Sequence, residues 1–195
     1  MPSKQTNPQP TAACDLRWSF ECACHAVSCG GMEMAFTTLA RGHARLVICL
    51  HTSVDPPAAE WENMLSQLSA LLAAAPDTRQ VRMLVVTGGG GPDAIQRVQL
   101  GKVWDGRDLK VAVVVPGLGN PLKRGLMTAL SWVNPAMAFF TPEQLRQALF
   151  HLQHVAELEA VWQVLAGLQA QLAQVSTLQR IARAHALPAP HALSA

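Results

Sequence analysis

The sequence predicts an α/β fold on a mixed, mainly parallel sheet with packed helices and a long C-terminal helical extension. Three observations predict it. Val81–Val86 and Lys110–Val115 are short, continuous apolar runs, as expected of strands buried on both sheet faces. Stretches with apolar residues three and four apart alternate with them and read as amphipathic helices. The order that results, ββαβαβαβα, calls for right-handed crossovers with helices laid on the sheet.

The elements follow one another in this way. Residues 1–31 show no clear period and are expected to be a poorly ordered arm, with Met32 or Met34 an alternative start. Ala35–Leu39 and Arg45–His51 read as two strands joined by a short link at Arg41-Gly42-His43. Asp55-Pro56-Pro57 opens a helix with Asp55 as its cap, and Trp61, Met64, Leu65, Leu68, Leu71 and Leu72 form its apolar face. After the third strand, Pro92–Trp104 is expected to be helical, and Asp105-Gly106 turns the chain into the fourth strand. Pro116–Asn120 is a loop, Pro121–Trp132 a third helix and Ala136–Phe140 a last strand.

Thr141-Pro142-Glu143-Gln144 carries a capping-box pattern with proline at the first helical position. The helix it opens runs to about His185, which is about 45 residues against a usual ~11–12. Leu158, Val161, Leu165, Leu168, Leu172 and Val175 follow a heptad spacing, with Trp162 beside them as an interface anchor. Leu145, Leu149, Leu152 and Ala156 run in another phase. Residues 32–155 are therefore expected to form the domain. Residues 156–185 form an extension that either associates with another chain or folds back, and residues 186–195 a disordered tail.

Composition narrows the function classes. The chain has 195 residues, half of them hydrophobic, and a net charge of +2. So small a charge does not predict a nucleic-acid or anionic-membrane surface. No apolar run reaches the ~20 residues of a membrane helix, and the start lacks the apolar segment of a secretory signal, so a cytoplasmic location is expected. The five cysteines, Cys14, Cys22, Cys24, Cys29 and Cys49, are odd in number and do not have zinc-knuckle spacing. No metal or other cofactor is expected.

The candidate site is Thr87-Gly88-Gly89-Gly90-Gly91-Pro92-Asp93, between the third strand and its helix. Four glycines in a row are costly in chain entropy, so the backbone there needs unusual dihedrals or close approach. Gln96 and Arg97 lie one turn into the helix, and Lys123 and Arg124 belong to the next crossover. In parallel sheets, loops at the strand C-terminal ends gather into one crevice. Glycine N–H groups at a helix N-terminus suit an anion, although neither a Walker A nor a dinucleotide pattern is present. Three readings stay open for the loop: a protein-docking surface, a site for a nucleotide or other small anion, and a purely structural turn.

Four short motifs carry a resemblance. They are Asp55-Pro56 to Glu60-Trp61, Thr87 to Gln96-Arg97, Lys123-Arg124-Gly125 to Trp132, and Phe140-Thr141-Pro142-Glu143. In this order, over Met34–Val155, they resemble the STAS family of sulfate-transporter tails and anti-sigma-factor antagonists, and in particular small bacterial STAS-like proteins. The resemblance implies a non-enzymatic regulatory or scaffold module acting by protein–protein contacts. In antagonists of that family a serine at the start of the helix after the third strand is phosphorylated. Here glycines and Pro92 stand in that region and Thr87 is the nearest hydroxyl. An apolar-ligand or lipid carrier is a further alternative.

Catalysis finds little support. The seven histidines are scattered, and no nucleophile accompanies His51 and Asp55. His151 and His154 have a helical metal-binding spacing but read as ordinary amphipathic-helix residues. Cys49 reads as a core thiol.

Overall fold

The computed structural model describes the backbone of residues 19–21, and residues 32–104, 107, 109–118, 136–153, 158–172 and 175–190. Among the described residues six strands lie in strict chain order: β1 Ser19–Glu21, β2 Met34–Arg41, β3 Ala44–His51, β4 Val81–Thr87, β5 Lys110–Val114 and β6 Met137–Phe140. β1 pairs with β2 and β2 with β3 antiparallel, and β3 to β6 are parallel to one another. A two-residue link joins β2 to β3, and Gly42 supplies the positive φ of 57° that such a turn requires.

Side chains alternate across the sheet with a period of two, and the alternation divides the core into two clusters. Leu46, Ile48 and Leu50 of β3 face one side with Leu84, Val86, Ala112 and Val114. Val47 and Cys49 face the other with Val81, Met83 and Val111. The second side is covered by α1 (Ala58–Ala74), through Trp61, Met64, Leu68 and Leu72, and by Leu100, Val103 and Trp104 of α2 (Ala94–Trp104). The first side is covered by α3 (Leu145–His151), α4 (Leu158–Gln169) and α5 (Ser176–His185). The molecule is thus an α/β sandwich of three layers, as expected for a mainly parallel sheet buried on both faces.

The single long C-terminal helix is corrected. A 3-10 turn at Pro142–Gln144 leads into α3, with the Gln144 side chain accepting from the Thr141 N–H at 3.0 Å. After Leu152 the chain enters the left-handed region at Gln153, φ 63°, which ends α3. Val175 is extended and precedes α5.

The association seam is corrected with it. Val161, Trp162 and Leu165 are fully buried, Leu158, Leu168 and Val175 nearly so, and Leu172 packs on the same cluster. Only Glu159, Gln163 and Gly167 of α4 are exposed. The seam's partner is the chain's own sheet, because burying one large apolar side chain is worth ~1.5–3 kcal/mol and the sheet face supplies the surface. Trp162 therefore anchors the core rather than an interface.

Both chain ends also differ from expectation. β1 pairs with β2 within the predicted arm. In the predicted tail the Leu187 N–H caps α5 at Ala182 O, 3.0 Å, and Leu187 packs on the core. The predicted helix Pro121–Trp132 and the rest of residues 1–31 lie outside the described residues.

Candidate functional site

The glycine loop stands at the C-terminal end of β4, where His51 and Thr87 are register partners. Buried polar side chains collect here: His51, Thr52, Thr87 and Gln96. Their bonds account for the loop residue by residue. The Thr87 hydroxyl donates to Gly90 O at 2.8 Å and accepts the Gly89 N–H at 2.9 Å. Gly88 N–H donates to His51 O at 2.8 Å, and Gly90 N–H to Thr52 O at 3.3 Å. Gly91 N–H donates to the Asp55 carboxylate at 3.1 Å. All four glycine N–H groups are therefore engaged inside the chain.

Close approach explains two of the glycines. A Cβ on Gly88 would lie 2.8 Å from Ser53 N, and one on Gly90 would lie 2.4 Å from Val54 O. Gly89 has open space but a φ of 129°, which L side chains rarely adopt. What presses on the loop is the β3–α1 connection. That connection is itself fixed, since Thr52 donates through its hydroxyl to the Glu33 carboxylate and accepts the Val54 N–H at 3.1 Å. Glu60 of α1 holds the Glu33 and Met34 N–H groups at 3.2 and 2.8 Å.

Asp55 does not cap α1, correcting that expectation. The helix begins at Ala58 after Pro57, and the Asp55 carboxylate is spent on Gly91. The second helix begins at Ala94 rather than Pro92. Asp93 and Gln96 form a reciprocal pair there: Gln96 N–H donates to the Asp93 carboxylate at 2.8 Å, and Asp93 N–H to the Gln96 side-chain oxygen at 3.0 Å. The Gln96 amide also donates to Pro56 O at 2.8 Å, tying α2 to the β3–α1 loop. Arg97 folds back, Nη1 donating to Pro92 O at 2.6 Å.

Of the residues singled out by sequence, Thr87 to Asp93, Gln96 and Arg97 are together at this site, whereas Lys123 and Arg124 lie outside the described residues. Sequence reasoning missed Thr177. Its fully buried hydroxyl donates to Thr87 O at 2.7 Å from the start of α5. It also missed the exposed apolar side chains around the loop: Val54, Ile95 and Val98 are 54, 71 and 60% exposed. Ile95 and Val98, three apart, opposite the Leu100-Val103 side of α2, were a legible signal of a second apolar face.

Burial pushes the Cys49 thiol up to about 12, so it is inert. Burial, the largest cause, lowers the His51 pKa, partly offset by a Thr52 backbone bond and the Asp55 charge. His151 packs its ring 5.9 Å from that of Phe140, and His154 lies outside the described residues. Trp162 and Leu165 are buried between the sheet and the helices. A depression of about 480 Å3 lies beside α5, lined by Gln179, Ala182, Arg183 and Leu187 among others. Among the described residues no group of three metal-ligating side chains occurs, and no helix is long and apolar enough to cross a membrane. Comparison of the chain with protein-family models, with curated proteins and with solved structures found no match.

Proposed function

We propose that the chain is a non-catalytic, STAS-like regulatory or scaffold module that acts by docking another protein chain. The docking face consists of the β3–α1 loop, the glycine loop and the outer side of α2. One observation carries the reading: Val54, Ile95 and Val98 are exposed beside a loop whose own glycine N–H groups are all used internally. A loop without free glycine donors suits a rigid support for an apolar contact better than a cradle for an anion. Ile95 and Val98 share one face of α2, and exposed apolar side chains so placed are a usual sign of such a contact. The element order and the place of the loop between β4 and α2 support the STAS-like part of the reading.

Thr87 has no role here as a modification site, because its hydroxyl is buried and doubly engaged. The test is affinity capture with cross-linking from the native cell extract. The full chain is compared with Ile95→Asp/Val98→Asp, and Phe150→Ser, another exposed apolar position, serves as the control. The double variant is expected to lose at least ~10-fold of a specific captured protein while melting like the parent, and the control to retain it. Equal capture by all three overturns the docking face.

A further inference from the structure

We propose that protonation of His51 releases the glycine loop from the β3–α1 connection, so that the docking face is held at neutral pH and let go in acid. The release belongs to the loop itself, and its effect on docking rests on the reading above. His51 ends β3, Thr87 ends β4, and the two are register partners. The period of two puts both side chains on the side of Val47, Cys49 and Met83, at the end of the sheet that carries the loop. His51 is only 4% exposed. One backbone bond, to Thr52, holds its ring, and the buried Nδ1 has no hydrogen-bond partner among the described residues. A neutral imidazole fits there, because its second nitrogen is a bare acceptor. An imidazolium does not, because both nitrogens are then donors and the charge lies out of water.

Asp55 is the charge that acts on this ring, and its carboxylate already accepts the Gly91 N–H at 3.1 Å. The other charged groups around the end of β3 are engaged elsewhere. Glu33, ahead of β2, accepts from the Thr52 hydroxyl. Glu60 of α1 accepts the Glu33 and Met34 N–H groups, and Glu62 is exposed. At α2, Asp93 accepts the Gln96 N–H, Arg97 donates to Pro92 O, and Lys102 stands in the last turn. β2 and β4 carry charge only at Arg41 and Arg82, towards their opposite ends. On the other side of the sheet, Glu159 of α4 is bonded to Gln163, and Arg180 of α5 is paired with Glu143.

A proton on His51 therefore has two outlets. The ring draws Asp55 away from Gly91, or it swings out to water past the loop. Either movement breaks into the seam formed by Gly88 N–H on His51 O, Gly90 N–H on Thr52 O and Gly91 N–H on Asp55. Gly89 and Gly91 drag no side chain with them, and a Cβ on either would meet nothing within 4 Å. Leu50, Leu84 and Val86 of the adjoining strands are fully buried, so the opening stays local. It parts Val54 of the β3–α1 connection from Ile95 and Val98 of α2, which together make the docking face. The sign agrees: burial, the largest cause, lowers the His51 pKa while the loop is closed. The open form takes the proton nearer the ordinary value of about 6.5, and its population rises as pH falls through that value.

Amide hydrogen exchange of the full chain at about pH 7.5 and about pH 5.5, with labelling times scaled to the intrinsic rate at each pH, tests the release. Protection of Gly88–Gly91 in the parent is expected to fall several-fold in acid, up to ~10-fold, while the interiors of β4 and β5 keep theirs. His51→Gln is expected to abolish the fall. His151→Gln, which takes away the other histidine with a lowered pKa, is expected to keep it. Equal loop protection at both pH values in the parent overturns the release. So does a parent whose loop and strands open together, or a response that His51→Gln retains or His151→Gln removes. The parent and His151→Gln decide even where His51→Gln does not fold. Capture of the docked protein is expected to weaken in acid with the parent and to hold with His51→Gln; capture undiminished beside an open loop overturns the effect on docking. A loop that opens in acid, in a chain whose Ile95→Asp/Val98→Asp variant captures like the parent, upholds the release and overturns the docking face.

Discussion

At the scale of single residues the glycine run is four different solutions rather than one motif. Gly88 and Gly90 yield space to the backbone of the β3–α1 loop, Gly89 supplies a positive φ, and Gly91 sits in open space with its N–H on Asp55. The entropy cost of the run is legible in sequence, but its cause is not, because the atoms that crowd Gly88 and Gly90 belong to Thr52-Ser53-Val54, more than thirty residues away. The difference has a measurable consequence. Gly90→Ala sets a methyl against a carbonyl that cannot swing aside, so we expect a loss of about 1–3 kcal/mol in urea denaturation. Gly91→Ala meets nothing and is expected to stay within about 0.5 kcal/mol of the parent. Equal losses at the two positions would refute this division of roles.

At the scale of elements, β2 to β6 and the first two helices lie close to where periodicity places them, because burial of alternate residues is a local pattern. The C-terminal segment is the informative failure. A 3–4 spacing is common to a coiled-coil seam and to a helix pressed on a sheet, so spacing alone did not separate them. The residues between the seam positions did carry the distinction: Val164 and Ala166 are also buried, leaving α4 apolar around most of its circumference. Such a helix belongs inside a core. Trp162→Ala is accordingly expected to cost about 3–5 kcal/mol of stability without changing the mass of the particle in solution. A change of mass at unchanged stability would restore the association seam. In α2 the opposite holds: apolar residues point outward as well as inward, and only Gln96 is buried.

At the scale of the whole molecule, helices close both sides of the sheet, and polar groups are caught in the closure. His51 and His151 both have pKa values below the ordinary histidine value, burial being the larger cause for each. The unfolded chain therefore takes up these protons first as pH falls. Stability is full above about pH 6.5, the unfolded value, and declines as pH drops through it towards the folded values. We expect the melting temperature to fall between about pH 7 and pH 5, and His51→Gln to flatten that slope. An unchanged slope in the variant would remove His51 from the account. From sequence alone came the α/β class, the succession of the strands from β2 onward, the two-faced burial of β4 and β5 and the position of the glycine loop. All of these are set by patterns within one element or between neighbours. Only the tertiary structure decided what covers the first side of the sheet, that Thr177 reaches Thr87 across the chain, and that the loop's donors are spent on Thr87 and the β3–α1 connection. Those outcomes depend on contacts between segments far apart in the chain, where the hydrophobic gain of closing the core outweighs any local preference.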